Sequence, residues 1–380
     1  MNTHPVSHYN SKSSSENIIS FDLDIVMATK NTQQMKAIIQ PDKTSHALIL
    51  TQKPIPIPAH PQDVLVRVHA TTPCKGELDW ALYAPEYILP SKIPIPGQDL
   101  AGSVLSVPEG SKFKIGDSVY ARIEANRPGA GAEYALPRES ELALKPKNLS
   151  WIETAATPLS SLTAYQALFT QGNICVAALT GDQIAKNTNA NLRVLITSAS
   201  SSVGSWAIQL AREAGVGGII GVTSTKNIGF VRSLGATEII DYTDQDISDW
   251  VAYDQSREVD LIIDTIGGPS LAYSWHAIRE GGNIISVCSF PEQSRPDGVT
   301  KKANSSFYLV NPKGTDLDSI THLIEADRVK PIVDSVVEFD DFAKAWEKVE
   351  AGHTRGKVVV KISGEMARTQ RLPDIASNDG

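Results

Sequence analysis

The run from Arg193 to Tyr242, RVLITSASSSVGSWAIQLAREAGVGGIIGVTSTKNIGFVRSLGATEIIDY, leaves this chain few choices of fold. It opens on Val194-Leu195-Ile196-Thr197, a branched apolar run too short for a helix and therefore a strand. Small residues from Ser198 to Gly204 make a tight turn. Val203, Ala207, Leu210, Ala211 and Ala214 then recur at helical spacing, and Gly215 supplies a stop. A second apolar run, Gly218 to Val222, ends in Thr223-Ser224-Thr225-Lys226. Strand, tight turn, helix and strand form the unit that seats a pyrophosphate on a helix N-terminus, where free N–H groups and the macrodipole favour an anion.

The turn departs from the dinucleotide fingerprint, which has glycine where the backbone bends sharply and approaches phosphate. Ser198, Ser201 and Ser202 stand where glycines are expected, and only Gly204 remains. Ser200, Ser201, Ser202, Val203 and Gly204 are the candidate phosphate contacts; an ordinary strand–helix–strand unit without ligand is the alternative. The end of the second strand discriminates between cofactors. An NAD site would place Asp or Glu there for the ribose hydroxyls. Ser224, Thr225 and Lys226 instead offer hydroxyls and one cation, suited to the extra 2′-phosphate of NADPH. A lysine at a helix start is disfavoured by the dipole, which also argues for an anion partner.

ASSSVGSWAIQLAREAG, TSTKNIGFVRSLGATEIIDYT and VDLIIDTIGG resemble the cofactor domain of zinc-free medium-chain dehydrogenases/reductases, most closely the quinone oxidoreductase-like and enoyl reductase-like groups. The resemblance covers roughly residues 35 to 362. It implies an α/β fold: a Rossmann-type doubly wound parallel sheet plus a GroES-like β-rich substrate domain. The expected layout is a tail over 1–34, the first part of the substrate domain over 35–160 and the NADP-binding domain over 161–304. A return to the substrate domain over 305–363 and a second tail over 364–380 complete it.

Short strands with turn signals fill the first domain: Met35–Gln40, Ala47–Leu50, Val64–Ala70, Leu100–Val107, Ser118–Ile123 and Glu133–Leu136. Zinc-dependent relatives carry a Cys in the first loop, a Gly-His-Glu sequence and a third ligand, because a catalytic zinc takes three protein ligands and keeps one position open. This chain has Cys74 but Gly97-Gln98-Asp99, so no metal is expected. His69, in an apolar strand pattern, reads as structural, and Glu77 and Asp79 as solvated carboxylates, with orienting a substrate as the alternative. The resemblance places tyrosines of LYAPEYILP beside the nicotinamide, which nominates Tyr83 and then Tyr87 as hydrogen-bond donors to a substrate oxygen. Loop packing is the alternative for both.

Ser150 with Glu153 three residues on reads as a capping box. In the helix that follows, the resemblance sets Thr163 near the nicotinamide ribose. Residues 172–192 read as a short helix and a surface loop. Strand and helix signals then alternate, and ligands bind at the carboxyl ends of such strands. Those ends nominate Tyr242, Ile266, Gly267, Val287, Ser289 and Phe290, and the resemblance implies that the first lies by the adenine and the others by the nicotinamide half; Cys288 reads as small and buried. The resemblance implies that a strand over Ser306–Val310 pairs between two subunits, and Gly356 and Lys357 resemble the family's late cofactor contact, with a basic turn as the alternative.

With 35 basic and 43 acidic residues the net charge is −8, which argues against nucleic acid or an anionic membrane as partner. No apolar run approaches the roughly 20 residues of a membrane span. Three scattered cysteines suit a reducing compartment, and the acid-containing polar start suits a cytoplasmic protein. The expectation is therefore a monomeric or homodimeric, NADPH-dependent, zinc-independent reductase of an enone or quinone, with polyketide-type enoyl reduction as one variant. The alternatives are a non-catalytic NADPH-binding protein of the same fold and a zinc-dependent alcohol dehydrogenase with unusual ligands.

Overall fold

The computed structural model describes residues 33–363, so the expected tails lie outside it apart from Gln33 and Gln34, the latter opening the first strand. Two sheets organise the chain. The substrate domain contributes β1 (Gln34–Ile39), β2 (Ile49–Pro54), β3 (Leu65–Thr72), β4 (Asp99–Ser106), β5 (Ser118–Arg122), β6 (Tyr134–Ala135) and β7 (Leu142–Leu144). The nucleotide domain follows with β8 (Arg193–Ile196), β9 (Gly218–Thr223), β10 (Glu238–Asp241), β11 (Val259–Asp264), β12 (Ile278–Ser286) and β13 (Asn304–Phe307). Finally β14 (Val333–Glu338) and β15 (Lys357–Lys361) return to the first domain, where β15 pairs with β3.

The nucleotide sheet runs β10-β9-β8-β11-β12-β13, parallel throughout. The order reverses between β8 and β11, and at such a reversal the crevice outside the carboxyl ends of the strands receives a dinucleotide. Both faces are covered, which is why these strands read as continuous apolar runs. Val194, Ile196, Ile219, Leu261 and Ile263 pack with one set of helices, and Leu195, Ile220, Val222, Ile262 and Ile284 with the other.

Ten helices connect the strands among the described residues: α1 (Trp80–Tyr83), α2 (Trp151–Ala155), α3 (Pro158–Gln166), α4 (Gln183–Asn189), α5 (Ser202–Glu213), α6 (Ile228–Leu234), α7 (Ile247–Ala252), α8 (Gly268–Ala277), α9 (Gly314–Glu325) and α10 (Ala343–Ala351). The expected capping box forms at α2: Glu153 N–H donates to Ser150 Oγ at 3.3 Å and Ser150 N–H to Glu153 Oε2 at 2.9 Å. Within 172–192 the polar stretch is ordered as α4, because Asp182 caps it through the Ala185 N–H at 3.0 Å.

Three expectations need correction. The second strand begins at Ile49 and runs to Pro54, because pairing with β1 extends it into the proline segment. The strand expected at Ser306–Val310 is β13, which starts earlier, at Asn304, because it pairs in register with β12, and it stands at the edge of the sheet. The return to the substrate domain accordingly comes later than residue 305: β13 closes the nucleotide sheet, and Leu317, Ile320, Leu323 and Ile324 of α9 pack into the nucleotide core. His69 is structural, stacked on Trp151 at 4.2 Å and bonded to Ser103 Oγ at 3.0 Å.

α3 is buried from end to end and packs against α5 on one side and the substrate sheet on the other. A second seam lies at Tyr120 on β5, whose hydroxyl donates to the Leu317 carbonyl and meets Thr321 Oγ1, both at 2.9 Å. Tyr120→Phe removes these bonds without changing the ring, and a buried bond of this kind contributes about 1 kcal/mol. Denaturant unfolding of the variant is expected to show a lower midpoint at unchanged slope.

Candidate cofactor and active site

The phosphate turn follows from its small residues. Ser198 takes a left-handed conformation, φ 47, at one of the positions where a glycine is expected. Ser201 caps α5, its Oγ accepting the Gly204 N–H at 3.1 Å. Gly204 is required by space: a Cβ there would lie 2.4 Å from the Ser198 carbonyl oxygen. Ser202 Oγ donates to Ser160 Oγ of α3 at 2.7 Å. Ser200, Ser201, Ser202 and Val203 remain half-buried at the helix start. The serines have thus kept the turn, the cap and the close approach while adding hydroxyl donors.

At the end of β9, Ser224 is buried while Thr225 and Lys226 are exposed. Asn227, not anticipated from sequence, links this corner to the turn: its Nδ2 donates to Ser200 Oγ at 3.1 Å and Ser224 Oγ at 3.4 Å. Thr225 Oγ1 donates to Asp241 Oδ2 at 2.6 Å, and hydroxyl bonds from Thr225 and Thr243 hold that carboxyl below its usual range. Tyr242 follows β10 and is exposed. Ile266 and Gly267 follow β11, and Val287, Ser289 and Phe290 follow β12, so the structure sets them along the same carboxyl edge. Asp264, also unanticipated, is fully buried there and fastens three strands, accepting from Thr197 Oγ1 at 2.9 Å, Ser286 Oγ at 2.8 Å and the Gly267 N–H at 3.0 Å. Gly267 has φ 72, which favours glycine. Ser289 Oγ is buried with no hydrogen-bond partner, an orphaned polar atom at the edge where the nicotinamide end of a dinucleotide would lie. Turn, cap and orphaned hydroxyl fit such a cofactor.

The substrate-domain side differs more from expectation. Glu77 is not solvated but 8% exposed, accepting from Trp346 Nε1 at 2.6 Å, Gly97 N–H at 3.1 Å and Cys74 N–H at 3.3 Å. The sequence signal was Gly76 before it, whose φ of 74 turns the loop inward. Asp79 is bound to His46 Nε2 at 2.7 Å. Lys357 is not a cofactor cation: it is 6% exposed, with Nζ 2.9 Å from Asp99 Oδ2 and donating to the Pro73 carbonyl at 3.2 Å. Burial opposes its charge, but Asp99 beside it holds the ammonium above its usual value. Gly356 is buried, its φ of 86 and the Ile332 carbonyl 2.2 Å from a would-be Cβ explaining a glycine on packing grounds.

Thr163 is buried, with its hydroxyl donating to the Leu159 carbonyl at 2.7 Å inside α3. Cys288 is exposed, not buried. Tyr83, at the end of α1, is 83% exposed and Tyr87 is also exposed, so both phenols are open to a ligand. The donors around Cys74 do not fit a zinc ion. Burial pushes its thiol up to about 12, Glu77 is engaged by three N–H groups, and Asp99 is already paired with a cation. Among the described residues no three His, Cys, Asp or Glu side chains gather as a metal-binding group, and no helix is long and apolar enough to cross a membrane.

Burial pushes the Glu77 carboxyl up to about 7 from 4.5, despite its three donors. A raised folded pKa contributes stability that is complete below 4.5 and is lost as pH rises through about 7. The slope this adds approaches about 1.4 kcal/mol per pH unit. Unfolding free energies measured from pH 4.5 to 7 are expected to lose that slope in Glu77→Gln. The variant is also less stable, since its amide N–H₂ opposes the Gly97 N–H. Gly204→Ala is expected to abolish dinucleotide binding in a titration, because the added methyl displaces the turn.

Two family models match, an alcohol dehydrogenase GroES-like domain over residues 60–147 and a zinc-binding dehydrogenase over 234–360. The chain is 40% identical over 326 residues to a protein of Arthroderma benhamiae called a probable zinc-binding oxidoreductase, mitochondrial, covering 85% of this chain and 96% of that one. It is 31% identical to a chloroplast envelope quinone oxidoreductase homolog of Arabidopsis thaliana, over 82% and 92% of the two chains. An NADPH-dependent alkenal/one oxidoreductase of the same plant is 32% identical over 70% of this chain and 63% of its own. The quinone oxidoreductase of Coxiella burnetii shares the fold, with a TM-score of 0.73 at 24% identity over 87% and 100% of the two chains.

Proposed function

The chain belongs to the medium-chain dehydrogenase/reductase family of oxidoreductases, among its quinone oxidoreductase-like members, and from that premise we propose an NADPH-dependent, zinc-independent reductase. The bond reduced is the C=C of an α,β-unsaturated carbonyl, or a quinone; a polyketide-type enoyl intermediate falls within the same chemistry. The observation that carries this reading is the buried Lys357–Asp99 pair next to Cys74. A fixed ammonium occupies the corner where a metal would need anionic donors, so nothing there polarises an unactivated alcohol. A substrate that is already electrophilic needs only orientation, exclusion of water and a proton source.

When bound, NADPH supplies the hydride. This chain's residues do the rest. Ser200, Ser201 and Ser202 with the α5 N-terminus hold the pyrophosphate, and Lys226 meets the 2′-phosphate. Ser289 Oγ and the backbone at Ile266 and Gly267 border the nicotinamide end. Tyr83 or Tyr87 donates to the substrate oxygen as charge develops on it. The relative named as an alkenal/one oxidoreductase supports an enone, and the one named as a quinone oxidoreductase homolog supports a quinone.

The test is a paired titration and assay on the full chain. NADPH is expected to bind tightly and NADH weakly, and Lys226→Ala to bring the two together by weakening NADPH roughly 10-fold or more. NADPH oxidation with small enones and quinones is expected to persist after chelation. A turnover lost on chelation and restored by zinc overturns the zinc-independent reading.

A further inference from the structure

We infer that Arg355, which the substrate domain extends across to Asn227 and Phe230 of the nucleotide domain, is a second cation of the 2′-phosphate site and sets coenzyme specificity together with Lys226. The inference rests on the NADPH reading above. Arg355 lies on the turn between α10 and β15, and that turn is anchored, since its backbone N–H donates to Asp334 Oδ1 at 3.0 Å. Asp334 is itself held by Lys348 Nζ at 2.5 Å. From this base the guanidinium crosses the domain boundary. Nη2 donates to Asn227 Oδ1 at 2.7 Å, and Cζ stands 4.9 Å from the centre of the Phe230 ring on α6.

Three features make this more than a surface contact. The amide that receives Arg355 is the same amide whose Nδ2 reaches Ser200 of the phosphate turn and Ser224 at the end of β9. The guanidinium therefore sits one side chain away from both parts of the site that face the adenosine ribose. Among the described residues, neither Arg355 nor the adjacent exposed Lys226 has a carboxylate within ion-pair distance, although 16 such pairs form elsewhere in the structure. Asp241, at the end of β10 beside Thr225, is taken up by the hydroxyls of Thr225 and Thr243, and Asp334 by Lys348 and the Arg355 backbone N–H. Two uncompensated cations beside a cluster of hydroxyls suit a phosphomonoester dianion and have no use for a bare ribose hydroxyl. Contact with the Phe230 ring and the bond to Asn227 restrain the guanidinium, and its fork matches two phosphate oxygens.

A phosphate held by Lys226 from one domain and Arg355 from the other ties the two domains together, which a coenzyme lacking that phosphate does not do. The experiment is titration calorimetry of the full-length wild type, Arg355→Gln and Arg355→Lys with NADPH, NADH, 2′,5′-ADP and 5′-AMP. Gln retains hydrogen-bonding capacity toward Asn227 and removes the charge. It is expected to weaken NADPH and 2′,5′-ADP roughly 10- to 100-fold and to leave NADH and 5′-AMP within about twofold. Arg355→Lys is expected to recover part of the loss, which a fold defect would not permit. Equal weakening of NADPH and NADH makes the contact a structural clasp and overturns the inference. Wild-type preference for NADPH that survives unchanged in Arg355→Gln overturns the inference alone, whereas a wild type that does not distinguish NADPH from NADH removes the NADPH reading beneath it.

Discussion

One buried carboxylate joins the halves of this molecule. Asp99, fully buried at the start of β4, accepts from the Leu159 N–H at 2.6 Å with one oxygen, and its other oxygen receives the Thr72 hydroxyl and faces the Lys357 ammonium. Leu159 lies in the first turn of α3, where backbone donors lack helical partners, so the carboxylate both caps the helix and complements its dipole. The same helix holds Ser202 of the phosphate turn through Ser160. A chain of directed contacts thus runs from β15 through Asp99 and α3 to the cofactor turn. An ion pair so deep is a weak source of stability but loses heavily if either partner is removed alone. Its contribution here is register: the first loop, α3 and the phosphate turn are placed relative to one another by one side chain.

Much of this was legible in the sequence, and the reason is periodicity. The nucleotide strands are apolar on both faces and short, the helices between them carry their caps and stops, and each signal agrees with the next. The serine turn was readable as a turn despite the missing glycines, since Gly204 alone meets the close approach and Ser198 accepts the left-handed bend. The carboxyl-edge residues followed from topology, because strand ends are fixed once strand order is.

What the sequence hid lies in long-range pairing. Nothing local distinguishes Glu77 from a surface acid: its partners come from residues 74, 97 and 346, three separate elements. Lys357 was expected at the cofactor, with a basic turn as the alternative, yet the turn at Gly356 sends Arg355 outward to Asn227 and Lys357 inward to Asp99. The bounds of β13 shifted for the same reason, since its register is set by β12 across the sheet and not by its own short pattern of residues.

The contact between Trp346 and Glu77 reaches beyond architecture. The indole nitrogen donates at 2.6 Å to a carboxyl that burial tunes toward neutral pH, on the loop that carries Cys74 and closes over Gly97. A charge appearing that close to an indole alters the energy of its excited-state dipole. The ultraviolet emission of Trp346 is therefore a built-in optical gauge of the first loop, and a chain carrying it as the sole tryptophan would display that loop's electrostatic state without any label.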